Sequence, residues 1–484
     1  MIALRLSEIA RITGGRLHPV GHDADGNANN DAGADPLVDG PVVTDSREAA
    51  AGSLYIARIG EALDGHEYVA AARAKGAVAA LTSRPVPGLP CVVVQDVQEA
   101  FVCLAKALLE GNRRVVVIGI TGSSGKTSTK DLLFSVLARH GETVANVGSL
   151  NSPVGVPLTI CRITPTTAYL ILEMGSRGIG HIEYLTRIAP PQIGIVLNVG
   201  TAHLSEFGSR EAIGKAKAEL VQALPATGLA VLNADDPIVS EMAHLTRARV
   251  IPVGESSLAT VRALDISLDK QGRASFTLVT DQGTIAVALA LHGAHQVGNA
   301  LSVAAVALTV GMSLPDVAAG LGDARPLSRW RMEVHERADG VTIVNDAYNA
   351  NPDSMKAALK ALAAMGKGRR TWAVLGEMRE LGPESISEHE AMGRLAVNLN
   401  VSRVVAVGQG TQPIDDGARQ ERAGGSSGSR AEQSVWVPDT DAAYELLQQN
   451  LAPGDVVLVK SSRDAGLRWL GDRLLDNTGP EAPS

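Results

Sequence analysis

The chain alternates between short apolar runs and amphipathic stretches. Residues 115–120, Val-Val-Val-Ile-Gly-Ile, are continuously apolar and largely β-branched, as expected of a strand buried on both faces of a parallel sheet. A Gly-rich turn follows. A helical pattern then runs through Leu132, Leu133, Val136 and Leu137 and stops before Gly141. Further strands are predicted at 169–172, 193–198 and 229–233. After residue 325 the pattern restarts, with strands at 341–345, 371–376, 404–408 and 456–460. Strand-then-helix alternation of this kind predicts parallel sheets covered by helices. Residues 22–40, 419–433 and those after 477 are rich in Gly, Ser, Asp and Asn and read as loops or tails.

The fold expected is α/β with three domains. Residues 1–85 form a small N-terminal α/β unit, 86–325 a central parallel-sheet unit of the phosphate-loop type, and 326–484 a C-terminal doubly wound, Rossmann-like unit. A length of 484 residues agrees with this count, since domains run to about 150 residues. Hydrophobic residues make up 45% and charged ones 20%, enough for ordinary globular cores. The net charge of −8 argues against a nucleic-acid partner, which calls for a basic stripe. No apolar run nears the ~20 residues that span a bilayer, and the N-terminus lacks the pattern of a secretory leader. Three cysteines, Cys91, Cys103 and Cys161, form no CxxC pair, so a reducing, cytoplasmic setting is expected.

Candidate chemistry centres on Thr121-Gly-Ser-Ser-Gly-Lys-Thr127. Glycines let the backbone wrap closely, so that successive N–H groups point at phosphate oxygens. The helix N-terminus adds its positive dipole end. Lys126 supplies a point charge and the Thr127 hydroxyl suits Mg²⁺. The spacing departs from the strict GxxxxGK[ST], because Ile120 stands at the first Gly position. Glu173, Asn198 and His203 follow strand ends on the same side of the sheet, where ligands of parallel sheets bind. A carboxylate and an imidazole there suit a divalent metal, although a loop histidine on the surface is the plainer account of His203 alone. In the helical pattern from Ser209, Lys217 falls inside the stripe of Ile213, Ala216, Leu220 and Leu224, while Lys215 falls opposite. Either the Lys217 stem snorkels or its amine is paired or modified. In the third unit, polar loops at 346–355, 376–382 and 460–463 leave one edge of one sheet and suggest a second ligand surface. Helix caps account for Asp353 and Ser354.

These motifs, with Thr44-Asp-Ser-Arg47, Leu150-Asn-Ser-Pro-Val-Gly-Val-Pro157, Leu172-Glu-Met-Gly175, Asn198-Val-Gly-Thr-Ala-His-Leu204, Gly293-Ala-His-Gln-Val-Gly-Asn-Ala300 and Asp346-Ala-Tyr-Asn-Ala-Asn-Pro352, occur in an order that resembles the ATP-dependent Mur ligases of peptidoglycan synthesis. The Thr-Asp-Ser-Arg module and the Asp-Ala-Tyr-Asn-Ala-Asn-Pro loop weigh against folylpolyglutamate synthase, and against a nucleotide-driven switch that joins no substrates. The resemblance implies ATP as cosubstrate and two Mg²⁺ sites. It implies joining of D-alanyl-D-alanine to UDP-N-acetylmuramoyl-tripeptide through an acyl phosphate, by a monomer. It assigns ATP phosphates to Gly122, Ser123, Ser124, Gly125, Lys126, Thr127 and Ser128. Asn299 is assigned to adenine, and Arg331 and Asp346 reach the nucleotide from the third domain. Thr127 and Glu173 hold one metal ion and His203 helps hold a second. Lys217 matches a lysine carbamylated in related ligases, which would make it a metal-binding anion. Lys126, Glu173, His203 and Lys217 form the implied catalytic set. Ser46 and Arg47 belong to the UDP-sugar module, and Asn349, Asn351, Ser462 and Arg463 are substrate contacts. Gln296 and Ser462 depart from the residues common at their positions.

Overall fold

A computed structural model describes residues 1–19, 35–60, 63–201, 204–424 and 433–476. The chain folds as two compact units. The first draws on residues 1–119, 140–175 and 182–193, the second on 120–139, 176–181 and 194 onwards.

In the first unit a five-stranded sheet has the order Arg16–His18, Cys91–Val93, Ala77–Thr82, Ser53–Ile56, Val42–Val43. All neighbours are parallel except the first pair. Cys91–Val93, a few residues beyond the division expected near residue 85, is one of the inner strands of this sheet. The helix Val97–Gly111 starts where the Asp96 carboxylate accepts from the amides of Gln98 and Glu99, at 2.7 and 3.0 Å. It buries Phe101, Leu104 and Leu108 on one face. Strands Thr143–Ala145 and Tyr169–Glu173 run parallel in the same unit. The stretch read as a loop at 22–40 is structured at its end. Leu37–Val38 pairs antiparallel with Leu4–Arg5, and Asp35 accepts from the amide and hydroxyl of Ser7 at 2.7 and 2.8 Å.

The strand Val116–Thr121 gives its last two residues, Ile120 and Thr121, to the second unit. There Leu229–Asn233 and Arg249–Gly254 are parallel. The sheet then turns antiparallel through Val261–Leu268, Arg273–Thr280 and Gly283–His292. The parallel central sheet expected from the sequence thus ends in an antiparallel meander. Strand Arg273–Thr280 alternates buried Ala274, Phe276, Leu278 and Thr280 with outward positions, the period of a half-buried antiparallel strand. Gly272, at φ +72, makes the tight turn between the first two strands.

The third sheet also lies in the second unit. Its order is Glu333–Glu336, Thr342–Asn345, Val456–Lys460, Thr371–Leu375, Arg403–Val407, Gln433–Val437, parallel except at the first pair. Apolar side chains cover both faces. Met355, Leu359 and Leu362 belong to one cluster and Leu467, Leu470 and Leu474 to the other, as a doubly wound sheet requires. Full burial of each such side chain stabilises by about 1.5–3 kcal/mol. The helix Gln412–Gly424 claims part of the stretch read as a loop at 419–433, with Asp415 and Arg419 paired at 2.8 Å one turn apart. The remainder of that stretch, and the tail after residue 477, lie outside the described residues.

Two carboxylates fix the linker into the third sheet. Asp131, on the helix Lys126–Leu137, accepts from the Ser328 amide at 3.1 Å. Asp472 accepts from the Trp330 indole at 3.1 Å and from Arg329 at 3.0 Å. The stretch between them carries two non-glycine residues at positive φ, Trp330 and Met332.

Among the three cysteines, Cys91 and Cys161 are buried and Cys103 is exposed. Burial pushes the Cys161 thiol up to about 12. A disulfide-exchange reagent at pH 8 should therefore label one thiol rapidly in the folded protein and all three in denaturant. Rapid labelling of two or three without denaturant would contradict the packing described.

Candidate active site

The helix Lys126–Leu137 begins at Gly125, whose φ of +81° only glycine adopts easily. No side chain caps this end, so backbone N–H groups of the first turn face the loop. Gly125 is needed a second time: a Cβ there would lie 2.9 Å from Asn299 Oδ1. Asn299 is thereby placed directly against the loop, with its amide donating to Gln296 at 2.9 Å.

Asn198 shapes the loop from the neighbouring strand. Its carbonyl accepts from the Ser123 amide at 3.1 Å and its side-chain oxygen from the Ser124 amide at 2.9 Å. Ser123 Oγ accepts from the Gly200 amide at 2.9 Å. The first amides of the loop are thus used to hold its shape. Sequence reading marked Asn198 only as a strand end, and the strand itself closes at Val196. Lys126 Nζ donates to the Gly122 carbonyl at 2.7 Å, which folds the ammonium over its own loop. Thr127 is 2% exposed. Ser128 follows in the first turn.

Lys217 lies on the helix Arg210–Gln222, started by Ser209, whose hydroxyl accepts from the Ala212 amide at 3.1 Å. It is 5% exposed, so the inward stripe read from the sequence is real. Burial, and secondarily the charge of nearby Lys126, hold the Lys217 amine well below the usual lysine range. A neutral amine is a nucleophile, the form that attacks the carbon of carbon dioxide and sheds a proton to give a carbamate.

Glu173, in the first unit, is 1% exposed. A buried carboxylate requires partners. Asn151 Nδ2 donates to Glu173 Oε1 at 2.7 Å, and the Glu173 amide donates to Asn146 Oδ1 at 2.7 Å. Gly175 makes room for this clamp, since a Cβ there would lie 2.9 Å from the Asn151 side chain. The Leu-Asn-Ser and Leu-Glu-Met-Gly motifs are therefore two halves of one device, which their separation in sequence hides. Ser46 and Arg47 also belong to the first unit. Ser46 is buried, and Arg47 is exposed and paired with Asp45 at 2.7 Å. His203 lies outside the described residues.

In the third sheet the buried Lys460 ammonium donates to Asp346 Oδ2 at 2.6 Å and to the Asn349 carbonyl at 3.2 Å. Asp346 Oδ1 accepts from the Met332 amide at 3.0 Å, so the same carboxylate holds the linker. Lys460 was read from sequence only as the start of a polar loop. Arg331 lies 4.2 Å over the Tyr348 ring, and Arg463 lies 6.0 Å from it on the exposed surface. Arg331 Nε is buried with no acceptor among the described residues, an orphaned donor that a ligand oxygen or nitrogen would satisfy. Ser462 Oγ donates to the Ala350 carbonyl at 3.3 Å and accepts from the Arg379 amide at 2.9 Å. Asn351 caps the helix Pro352–Met365 and forms a capping box with Ser354. Asp353 does not cap that helix, as the sequence suggested. Its carboxylate accepts from the Thr201 amide at 3.2 Å, and Asn351 Nδ2 donates to the Ser123 carbonyl at 3.3 Å.

Comparison with known proteins gives a consistent result. Three family descriptions match in sequence: "Mur ligase family, catalytic domain" over residues 41–112, "Mur ligase middle domain" over 120–307, and "Mur ligase, glutamate ligase domain" over 330–463. A UDP-N-acetylmuramoyl-tripeptide–D-alanyl-D-alanine ligase of Mycobacterium tuberculosis is 47% identical and covers all of both chains. The enzyme of that name from Escherichia coli is 33% identical over 99% of each chain. Among solved structures, MurF from Acinetobacter baumannii has a TM-score of 0.83 at 31% identity, covering 97% of this chain and 98% of that one. MurF ligase from Thermotoga maritima in complex with ADP has a TM-score of 0.76 at 27% identity, covering 90% and 98%.

The depressed Lys217 amine gives a test with a definite sign. Its folded-state value lies below the ordinary 10.5, so the unfolded chain binds the extra proton. Stability should therefore rise with pH from the depressed value up to about 10.5, where the penalty vanishes. Denaturant unfolding in CO₂-free buffer should show this rise in the wild type and a flatter profile in Lys217→Met. Parallel profiles would mean that Lys217 is not buried as a lone amine.

Proposed function

The chain belongs to the Mur ligase family, and from that premise we infer that it joins D-alanyl-D-alanine to UDP-N-acetylmuramoyl-tripeptide with hydrolysis of ATP. Full-length likeness to ligases of that name carries the substrate assignment. The ATP part is carried by a single arrangement: an uncapped helix N-terminus behind a glycine loop, with the third sheet's Asn351 and Asp353 against that loop.

The loop amides and the helix N-terminus bind the phosphates of the nucleotide. Lys126 exchanges the Gly122 carbonyl for a phosphate oxygen, neutralising charge where two anions must meet. Asn299 orders the loop at Gly125, and Arg331 on Tyr348 offers its orphaned donor to the nucleotide. The terminal carboxylate of the tripeptide takes the γ-phosphoryl group as its bond to the β-phosphate oxygen breaks, giving an acyl phosphate and ADP. The amine of D-alanyl-D-alanine then attacks the acyl carbon, an amide forms and phosphate leaves. The third domain excludes water from the activated acyl group.

Thr127, Glu173, His203 and carbamylated Lys217 are the residues we assign to Mg²⁺. The buried, clamped Glu173 carboxylate suits this ion, which is held by one or two carboxylates together with substrate phosphates. When bound, Mg²⁺ neutralises phosphate charge during transfer. Ser46 and Arg47 are assigned to the UDP-sugar, and Asn349, Asn351, Ser462 and Arg463 to the peptide substrates. We propose division into domains after Val93 and near residue 325. We also propose a monomer acting in the cytoplasm, a setting that three unpaired cysteines suit. Among the described residues no helix is long and apolar enough to cross a membrane.

Purified protein should release phosphate from ATP only when both UDP-N-acetylmuramoyl-tripeptide and D-alanyl-D-alanine are supplied, one phosphate per amide. Equal release without them would overturn the ligase reading. Lys126→Ala should lower turnover by about a hundredfold or more with an unchanged melting temperature. Wild-type turnover in that variant would remove the loop from the mechanism.

A further inference from the structure

The helix Pro352–Met365 meets the phosphate loop through side chains that capping does not explain. Asn351, at its N-cap, donates to the Ser123 carbonyl at 3.3 Å while its own oxygen caps Ser354. Asp353, two positions on, turns its Oδ2 to the Thr201 amide at 3.2 Å. The neighbouring Gly200 amide is held by Ser123 Oγ at 2.9 Å, so Asp353 and the phosphate loop grip adjacent amides of one segment. A second contact closes on the same segment. Ser205 Oγ donates to the Glu380 carbonyl at 2.9 Å, in another polar loop of the third sheet. Glu380 holds a φ of +62°, costly for a non-glycine residue.

Gly200 carries the sequence signature of this docking. It is not among the glycines at positive φ, so the backbone does not demand glycine there. A Cβ at Gly200 would overlap Asp353 Oδ2. The residue is small because the carboxylate of the third domain seats against it. The amides of Lys126, Thr127 and Ser128, on the phosphate side of the helix start, lie outside this contact.

We propose that Asp353 is a positioning residue, which locks the third domain onto the Gly200–Thr201 segment that Ser123 of the phosphate loop also holds, and so acts on the rate of ligation rather than on nucleotide binding. The proposal rests on the ligase reading above. The carboxylate gains from the Thr201 N–H and from the first turn of its own helix, where negative charge is favourable. One hydrogen bond of this kind needs an oxygen acceptor and not a charge, so Asp353→Asn should serve nearly as well as the native residue.

The test is a double-mutant cycle on the full chain, with Asp353→Ala, Gly200→Ala and the two combined. Each single variant should lower kcat about tenfold while ADP affinity, measured by calorimetry, stays within about twofold. The double variant should be no worse than either single one, because both break the same contact. Asp353→Asn should keep most of the rate. Hydrogen exchange should show the Thr201 amide losing protection in Asp353→Ala and Gly200→Ala alike, with melting temperatures unchanged. A double variant impaired by the product of the two single effects, about a hundredfold, would overturn the proposal. So would unchanged exchange at Thr201, or a loss of ADP affinity matching the loss of rate. If wild-type protein yields no ligated product, the ligase reading fails, and Thr201 exchange still decides whether Asp353 docks there.

Discussion

A glycine loop whose backbone N–H groups are to meet an anion must be held in one shape. A loop of glycine and serine has no preference for that shape by itself, since glycine loses more conformational freedom on folding than any other residue. Asn198 supplies the restraint by taking the Ser123 and Ser124 amides, and Asn299 presses on Gly125 from another helix. The loop is held by two asparagines from distant parts of the chain. The helix behind it starts without a side-chain cap, and its positive dipole end favours an anion there.

The buried charges follow the same logic. Glu173 is clamped by Asn151 and Asn146. Lys460 is tied to Asp346 and to a loop carbonyl. Lys217 has its amine held well below the usual lysine range, by burial first and by the charge of Lys126 second. Groups of this kind are costly in a core and are retained where chemistry or geometry requires them. Asp346 shows how one group serves two ends, since it fixes Lys460 and also the linker amide of Met332.

Short side chains join the third domain to the loop and to the 200–205 segment beside it. Asn351, Asp353 and Ser205 make single hydrogen bonds, each modest on its own. Such contacts can form and break during turnover, as a cycle of substrate entry and product release requires. Asp131, Asp472 and Asp346 meanwhile hold the linker at Ser328, at Arg329 and Trp330, and at Met332.

Periodicity alone placed most parallel strands within a residue or two, because a buried parallel strand must be apolar throughout. It also placed the phosphate loop, because only a strand–glycine–helix sequence builds one. The stripe that put Lys217 inside its helix was equally legible, since 100° per residue is a local property. The antiparallel strands from Val261 to His292 were missed, as alternation in a half-buried strand resembles ordinary polar surface. The clamp on Glu173, the pairing of Lys460 and the seat of Asp353 at Gly200 were out of reach. Each depends on which residues, far apart along the chain, packing brings within hydrogen-bond distance, and no local pattern encodes that. The chain by itself determined where the strand, glycine turn and helix follow one another; the tertiary fold decided which distant side chains hold that turn still.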